Sequence, residues 1–151
     1  MYMYLANEFS NLNKVVPNIH YGGCCLFAEE VFTLLKKLKK KPRVIILTTT
    51  PKTVKHYVKY FPKVSETITD IGHAVIYVDG VFIDNNGIYN KLTDVLHYEN
   101  EKRYKRLRIS KKELSFINEN MENWNPRFER EKLSVVKNTL KNIENYLVSS
   151  K

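Results

Sequence analysis

Two adjacent thiols, Cys24 and Cys25, stand at the head of an apolar stripe formed by Cys24, Phe27, Ala28, Val31, Leu34, Leu35 and Leu38, spaced as on one face of a helix. A cysteine at the start of a helix feels the positive end of its dipole, which lowers the thiol pKa and favours the nucleophilic thiolate. Tyr21-Gly22-Gly23 forms the entry turn. With no side chain at Gly22 or Gly23, an extended substrate backbone can approach, and their amides can face a developing oxyanion. A buried structural thiol is the competing reading, and residue type by itself favours it.

A thiolate needs a base held in place. Residues 74–78 and 81–83 read as two strands joined by Asp79-Gly80, the dipeptide favoured in two-residue type I′ turns. That turn sets the register. Val78 opposes Val81, Tyr77 opposes Phe82, Ile76 opposes Ile83, Val75 opposes Asp84 and His73 opposes Asn86. Side chains alternate, so His73, Val75 and Tyr77 share a face with Phe82, Asp84 and Asn86. His73 and Asp84 become diagonal neighbours about 7–8 Å apart, a gap their side chains close with a hydrogen bond. A carboxylate so placed orients an imidazole and raises its basicity. Asp84 is the expected orienter and Asn86 the alternative; an unconnected surface His and Asp are the other reading. His20 lies near the thiols as a cleft residue, whereas His56 and His97 lack such a setting.

Around these residues the chain is expected to form a helix over 24–40, stopped by Pro42, and a strand over 44–47. Thr50 caps a helix that begins at Pro51 and runs to about residue 60. Ser110 and Glu113 make a capping box opening a helix to about residue 123, and a second helix follows Asn125-Pro126 to about 148. Leu107, Leu114, Ile117, Met121, Leu133, Val136, Leu140, Ile143 and Leu147 form their packing face. The opening through Asn18 reads as polar and irregular.

A Gly-Gly-Cys opening a helix, a His at a strand start and an Asp one hairpin later resemble the papain-like superfamily, which includes transglutaminase-like proteins, arylamine N-acetyltransferases and small phage-encoded relatives. Gly23-Cys24-Cys25-Leu26-Phe27-Ala28 is similar to the transglutaminase-type helix start, with an aromatic and an alanine three and four residues after the nucleophile. Gly72-His73-Ala74-Val75 and Asp84-Asn85-Asn86-Gly87 resemble the His and Asp strands of that group. The likeness covers roughly residues 18–90. It implies an α+β papain-like core, a Cys24-His73-Asp84 triad and cysteine-dependent acyl transfer on a protein, peptide or amide substrate. Papain and the arylamine acetyltransferases would align their nucleophile with Cys25 instead; Cys24 is preferred because it lies on the stripe facing the sheet. The family's upstream oxyanion Gln has no counterpart, and Asn18 is the stand-in.

Bulk properties bound the alternatives. The chain has 151 residues, 43% of them hydrophobic and 27% charged, which suits one soluble globular domain. No apolar run approaches the ~20 residues that cross a bilayer, and the N-terminus lacks an export pattern, so a cytoplasmic setting is expected, host cytoplasm for a phage protein. Adjacent cysteines fit neither a disulfide framework nor zinc-knuckle spacing, so no metal or cofactor is expected. The net charge of +9 raises a nucleic-acid partner, with Lys36, Lys37, Lys39, Lys40, Lys41 and Arg43 as one basic run. That run falls where a helix ends, a place where cations favour the dipole and solvate the surface. A basic binding protein using this run and residues 102–112, with Tyr104 stacking on a base, is the leading alternative. A papain-like scaffold without activity, binding a partner through its cleft, is the third.

Overall fold

The computed structural model describes residues 1–16, 23–49, 71–95, 104–119 and 132–150. Four α-helices lie among them: α1 (Tyr2–Val15), α2 (Cys24–Lys37), α3 (Lys111–Glu119) and α4 (Leu133–Ser149). Five strands, β1 (Arg43–Thr48), β2 (Ile71–Val78), β3 (Val81–Asp84), β4 (Gly87–Tyr89) and β5 (Lys105–Ile109), form one antiparallel sheet in the order β4-β3-β2-β1-β5. The class is α+β. No helix among the described residues is long and apolar enough to cross a membrane.

Strand alternation sorts the sheet into two faces. Val44, Ile46, Ala74, Ile76, Val78, Ile83, Leu107 and Ile109 point to one side, where they join buried residues of all four helices in the main core. Leu47 and Val75 point to the other, where Leu92 and Val95 cover them at a short 3₁₀ turn (Leu92–Asp94). β1 sits inside the sheet, between β2 and β5, and its run Val44-Ile45-Ile46-Leu47 supplies both faces with β-branched and aliphatic side chains.

Local signals set several elements as expected. Asp79 (φ 49°) and Gly80 (φ 84°) both take the left-handed conformation of a type I′ turn. Ser110 and Glu113 exchange the two capping-box bonds, at 3.2 Å to the Ser110 N–H and 3.0 Å to the Glu113 N–H.

Other expectations need correction. The opening is not irregular: Leu5, Phe9, Leu12 and Val16 form a fully buried stripe, and α1 packs on the sheet side of the core. Its stripe is narrow among polar residues, so docking rather than propensity makes the helix. α2 ends at Lys37, not at 40. Lys39 takes φ 60° while its N–H bonds Lys36 O at 3.0 Å and the Lys40 N–H bonds Leu35 O at 2.9 Å, a Schellman close that stops the helix before Pro42. Leu107 belongs to a strand, not a helix, and β4 and β5 were not anticipated. β5 carries only two inward apolar residues, Leu107 and Ile109, so pairing with β1 decides it. The helix expected over 51–60, Met121 and the helix start at Asn125-Pro126 fall outside the described residues.

Candidate active site

Cys24 is the first residue of α2 and keeps 8% exposure; Gly23, buried, is the N-cap, and its carbonyl accepts the Phe27 N–H at 2.8 Å. The amides of Cys24 and Cys25 therefore head the helix with no carbonyl four residues back inside it. Burial of every residue from Cys24 to Ala28 drives this end of α2 deep into the core.

His73 reaches this point through an irregularity in β2. His73 pairs with Leu47 and Ile71 with Thr48, leaving Gly72 as an extra residue, a β-bulge. A bulge bends its strand and re-aims neighbouring side chains. Gly72 suits the position because a Cβ there would lie 2.4 Å from the Tyr104 ring. The imidazole, 3% exposed, meets Asp84 on β3 and Cys24 on α2 together.

The β2–β3 register agrees with expectation at Val78↔Val81, Tyr77↔Phe82 and Ile76↔Ile83, and the ladder ends there. The anticipated pairs Val75/Asp84 and His73/Asn86 do not form ladder steps, because the chain turns at Asn85-Asn86 into β4, with Asp84 pairing Gly87. This turn fixes the carboxylate. Asp84 Oδ1 accepts the N–H groups of Asn86 (2.8 Å) and Gly87 (3.0 Å), while Oδ2 stands 2.8 Å from His73 Nε2. Nε2 is thereby engaged, which leaves Nδ1 for the thiol. Asn86, the alternative orienter, stands behind Asp84 and supports it through its backbone. Burial and the nearby Asp84 charge push the Tyr89 hydroxyl up to about 12.

Asn13 on α1 completes the support and had not been singled out. Its Nδ2 donates to the Asn85 carbonyl and to Asn86 Oδ1 (3.4 Å), and its Oδ1 accepts from Asn85 Nδ2 at 3.1 Å. The signal was present as a polar residue beside the Leu5-Phe9-Leu12 stripe, but only a recognised α1 gives it meaning.

The two thiols diverge despite adjacency. A hydrogen bond from Cys25 holds Cys24 well below the ordinary thiol range against the cost of burial, aided by the bond and charge of His73 and by the Ala74 N–H. Cys25 moves the other way: donation to Cys24 and burial raise it, and the Cys24 and Glu29 charges add to this. Burial works against a charged His73, yet its bonds to Asp84 and Cys24 prevail and push it up to about 9. Cys25 faces α3, where Asn118 Nδ2 donates to its carbonyl (3.0 Å) and to Glu29 Oε2 (2.6 Å). Ser115 and Lys111 also bind Glu29, and these bonds outweigh burial to lower its pKa.

Asn18, His20 and Gly22, expected near the oxyanion or cleft, lie outside the described residues. The basic run is dispersed: Lys37 pairs with Glu144 (2.9 Å), Lys40 with Asp79 (2.6 Å), Lys36, Lys39 and Lys41 are exposed, and Arg43 opens β1. Among the described residues no cluster of three His, Cys, Asp or Glu side chains could hold a metal ion. In comparison with known proteins, no family model, no curated protein and no solved structure matches this chain.

Proposed function

We propose that this protein is a cysteine-dependent acyl-transfer enzyme of papain-like or transglutaminase-like type, with Cys24 as nucleophile, His73 as acid and base, and Asp84 as orienter. One observation carries the reading: a single buried imidazole bonded on one side to a turn-fixed carboxylate and on the other to a helix-start thiol. The helix opening at the thiol and packed on the sheet that bears His73 and Asp84 is the arrangement expected of a papain-like core.

With the thiol lowered and the imidazole raised, the pair rests near neutral pH as thiolate and imidazolium. The thiolate sulfur attacks the carbonyl carbon of an amide, and the oxyanion forms near the amides at the start of α2. The C–N bond breaks as His73 gives its proton to the leaving amine, and a thioester remains on Cys24. Neutral His73 then takes a proton from the acceptor, water or an amine, which attacks the thioester and frees the thiolate. Water makes the reaction hydrolysis; an amine makes it transamidation.

Asp84 keeps Nε2 occupied, so that Nδ1 remains directed to sulfur. Activity should rise on the acid side as the thiolate forms and fall as pH passes through about 9, where the imidazolium loses its proton. The direct test is thiolate absorbance in the ultraviolet together with iodoacetamide labelling at about pH 6, well below an ordinary thiol pKa. One fast-labelled cysteine, lost in Cys24→Ala and slowed in His73→Ala, supports the proposal. Two thiols that ionise only in the ordinary range would overturn it.

A further inference from the structure

We infer that the sheet face turned away from the four helices carries a binding groove for single-stranded nucleic acid. The groove, about 530 Å³, is lined by Arg43, Ile45, Tyr77, Phe82, Arg106 and Arg108 among others. This volume falls in the range of ligand sites, and the lining combines an aromatic floor with a basic margin.

The charges form a row. Arg106 and Arg108 project from β5 two residues apart, about 7 Å. Arg43 on β1 follows diagonally, because Ile45, two residues beyond it, pairs with Arg108. All three are exposed, and among the described residues no carboxylate lies within ion-pair distance of any of them. By contrast Lys37, Lys40, Lys111 and Lys137 are each neutralised by an acid. Three guanidinium groups without an acid partner among the described residues therefore line one side of this groove. A regular row of guanidinium groups suits a polymer with repeating phosphates better than a single compact anion.

Beside the row, Tyr77 pairs across to Arg43 on β1 and to Phe82 on β3, with the two rings 4.9 Å apart at a 46° tilt. Both rings are half-buried and both line the groove, where base stacking would use them. An acidic peptide would use the arginines but not the ring faces. The inference does not rest on the acyl-transfer reading, since the groove lining includes none of Cys24, His73 and Asp84.

The test is fluorescence anisotropy with a labelled single-stranded oligothymidylate, titrated across salt. Three arginines on phosphates predict a log–log salt slope of about −2, from about 0.7 per phosphate on single strands. Arg106→Gln with Arg108→Gln should reduce the slope to about −0.7 and weaken binding at low salt. Tyr77→Leu and Phe82→Leu keep the apolar bulk and should each lose about fivefold or more from stacking. Cys24→Ala should bind as the parent does. Binding unmoved by the arginine pair, equal affinity for a free mononucleotide or for oligoglutamate, or loss of binding in Cys24→Ala would each overturn the inference. Unchanged fast thiol labelling in the arginine variants reports that the fold is intact, so this groove and the thiol chemistry fail or stand separately.

Discussion

β3 ends in two turns, and α1 holds both of them by different physics. At one end, Tyr2 Oη donates to Asp79 Oδ2 at 2.8 Å and Lys40 reaches the same oxygen at 2.6 Å, all on an exposed surface. At the other, Asn13 exchanges amide bonds with Asn85 beside the buried Asp84–His73 pair. The eleven helical steps from Tyr2 to Asn13 span about 16 Å, enough to run alongside the four-residue strand and clasp both ends. The contrast teaches where rigidity is placed. Exposed pairs compete with water and salt, whereas buried polar groups that lose a partner bear the full desolvation penalty.

The largest effect should come from breaking the buried end at its chemistry. His73→Ala should lower the labelling rate of Cys24 near pH 6 by roughly 100-fold, as the thiol returns toward its ordinary pKa. Asp84→Asn keeps the shape but alters what Nε2 meets, and should lower acyl transfer by about 100-fold or more with the fold retained. Circular dichroism alongside the rate measurement separates this from unfolding.

Next in size is Gly72→Ala. Its Cβ would collide with the Tyr104 ring, so stability should fall by about 1–3 kcal/mol, with labelling slowed because the bulge that aims His73 shifts. Tyr104→Leu in the same chain should recover most of the loss in the denaturant midpoint. Asn13→Ala leaves Asn85 and Asn86 short of partners and should cost about 1–3 kcal/mol, accompanied by slower labelling. If Asn13→Ala changed stability alone, α1 would be a brace for the core and not for the imidazole.

The pH dependence sharpens the same contrast. His73 has a folded pKa above its unfolded value of about 6.5, so the stability linked to its protonation is complete below that value. It is lost as pH rises through about 9. In Asp84→Asn that alkaline loss should shrink, read as denaturant midpoints between roughly pH 6 and 10. The smallest effect belongs to the exposed turn: Lys40→Ala should leave both the midpoint and labelling unchanged, because the Lys40–Asp79 pair lies at the surface.

Much of the site was legible because its signals are local. Asp79-Gly80 supplies the positive φ values of a type I′ turn, and that turn alone fixes which residues of β2 and β3 face each other. The stripe from Cys24 to Leu38 and the capping box at Ser110 depend likewise on residues within one or two turns of helix. β5 was hidden because Lys105, Arg106 and Arg108 outnumber its two buried residues; its strand state comes from an edge of β1 that needs a partner. The basic run from Lys36 looked like one patch, yet its members diverge onto a helix end, a left-handed turn and a strand.

The sequence by itself determined the order of thiol, imidazole and carboxylate, and the hairpin that brings the last two within reach, because turn chemistry and side-chain alternation act over a few residues. Only the tertiary structure decided that the Cys24 and Cys25 thiols are shifted in opposite directions, that Gly72 bulges to aim His73 and that α1 clamps the Asp84 turn. Those outcomes depend on burial, on charges from distant elements and on contacts closed across 72 residues of chain, as between Asn13 and Asn85. No local pattern encodes such contacts, since each partner gains its role only when the core has packed.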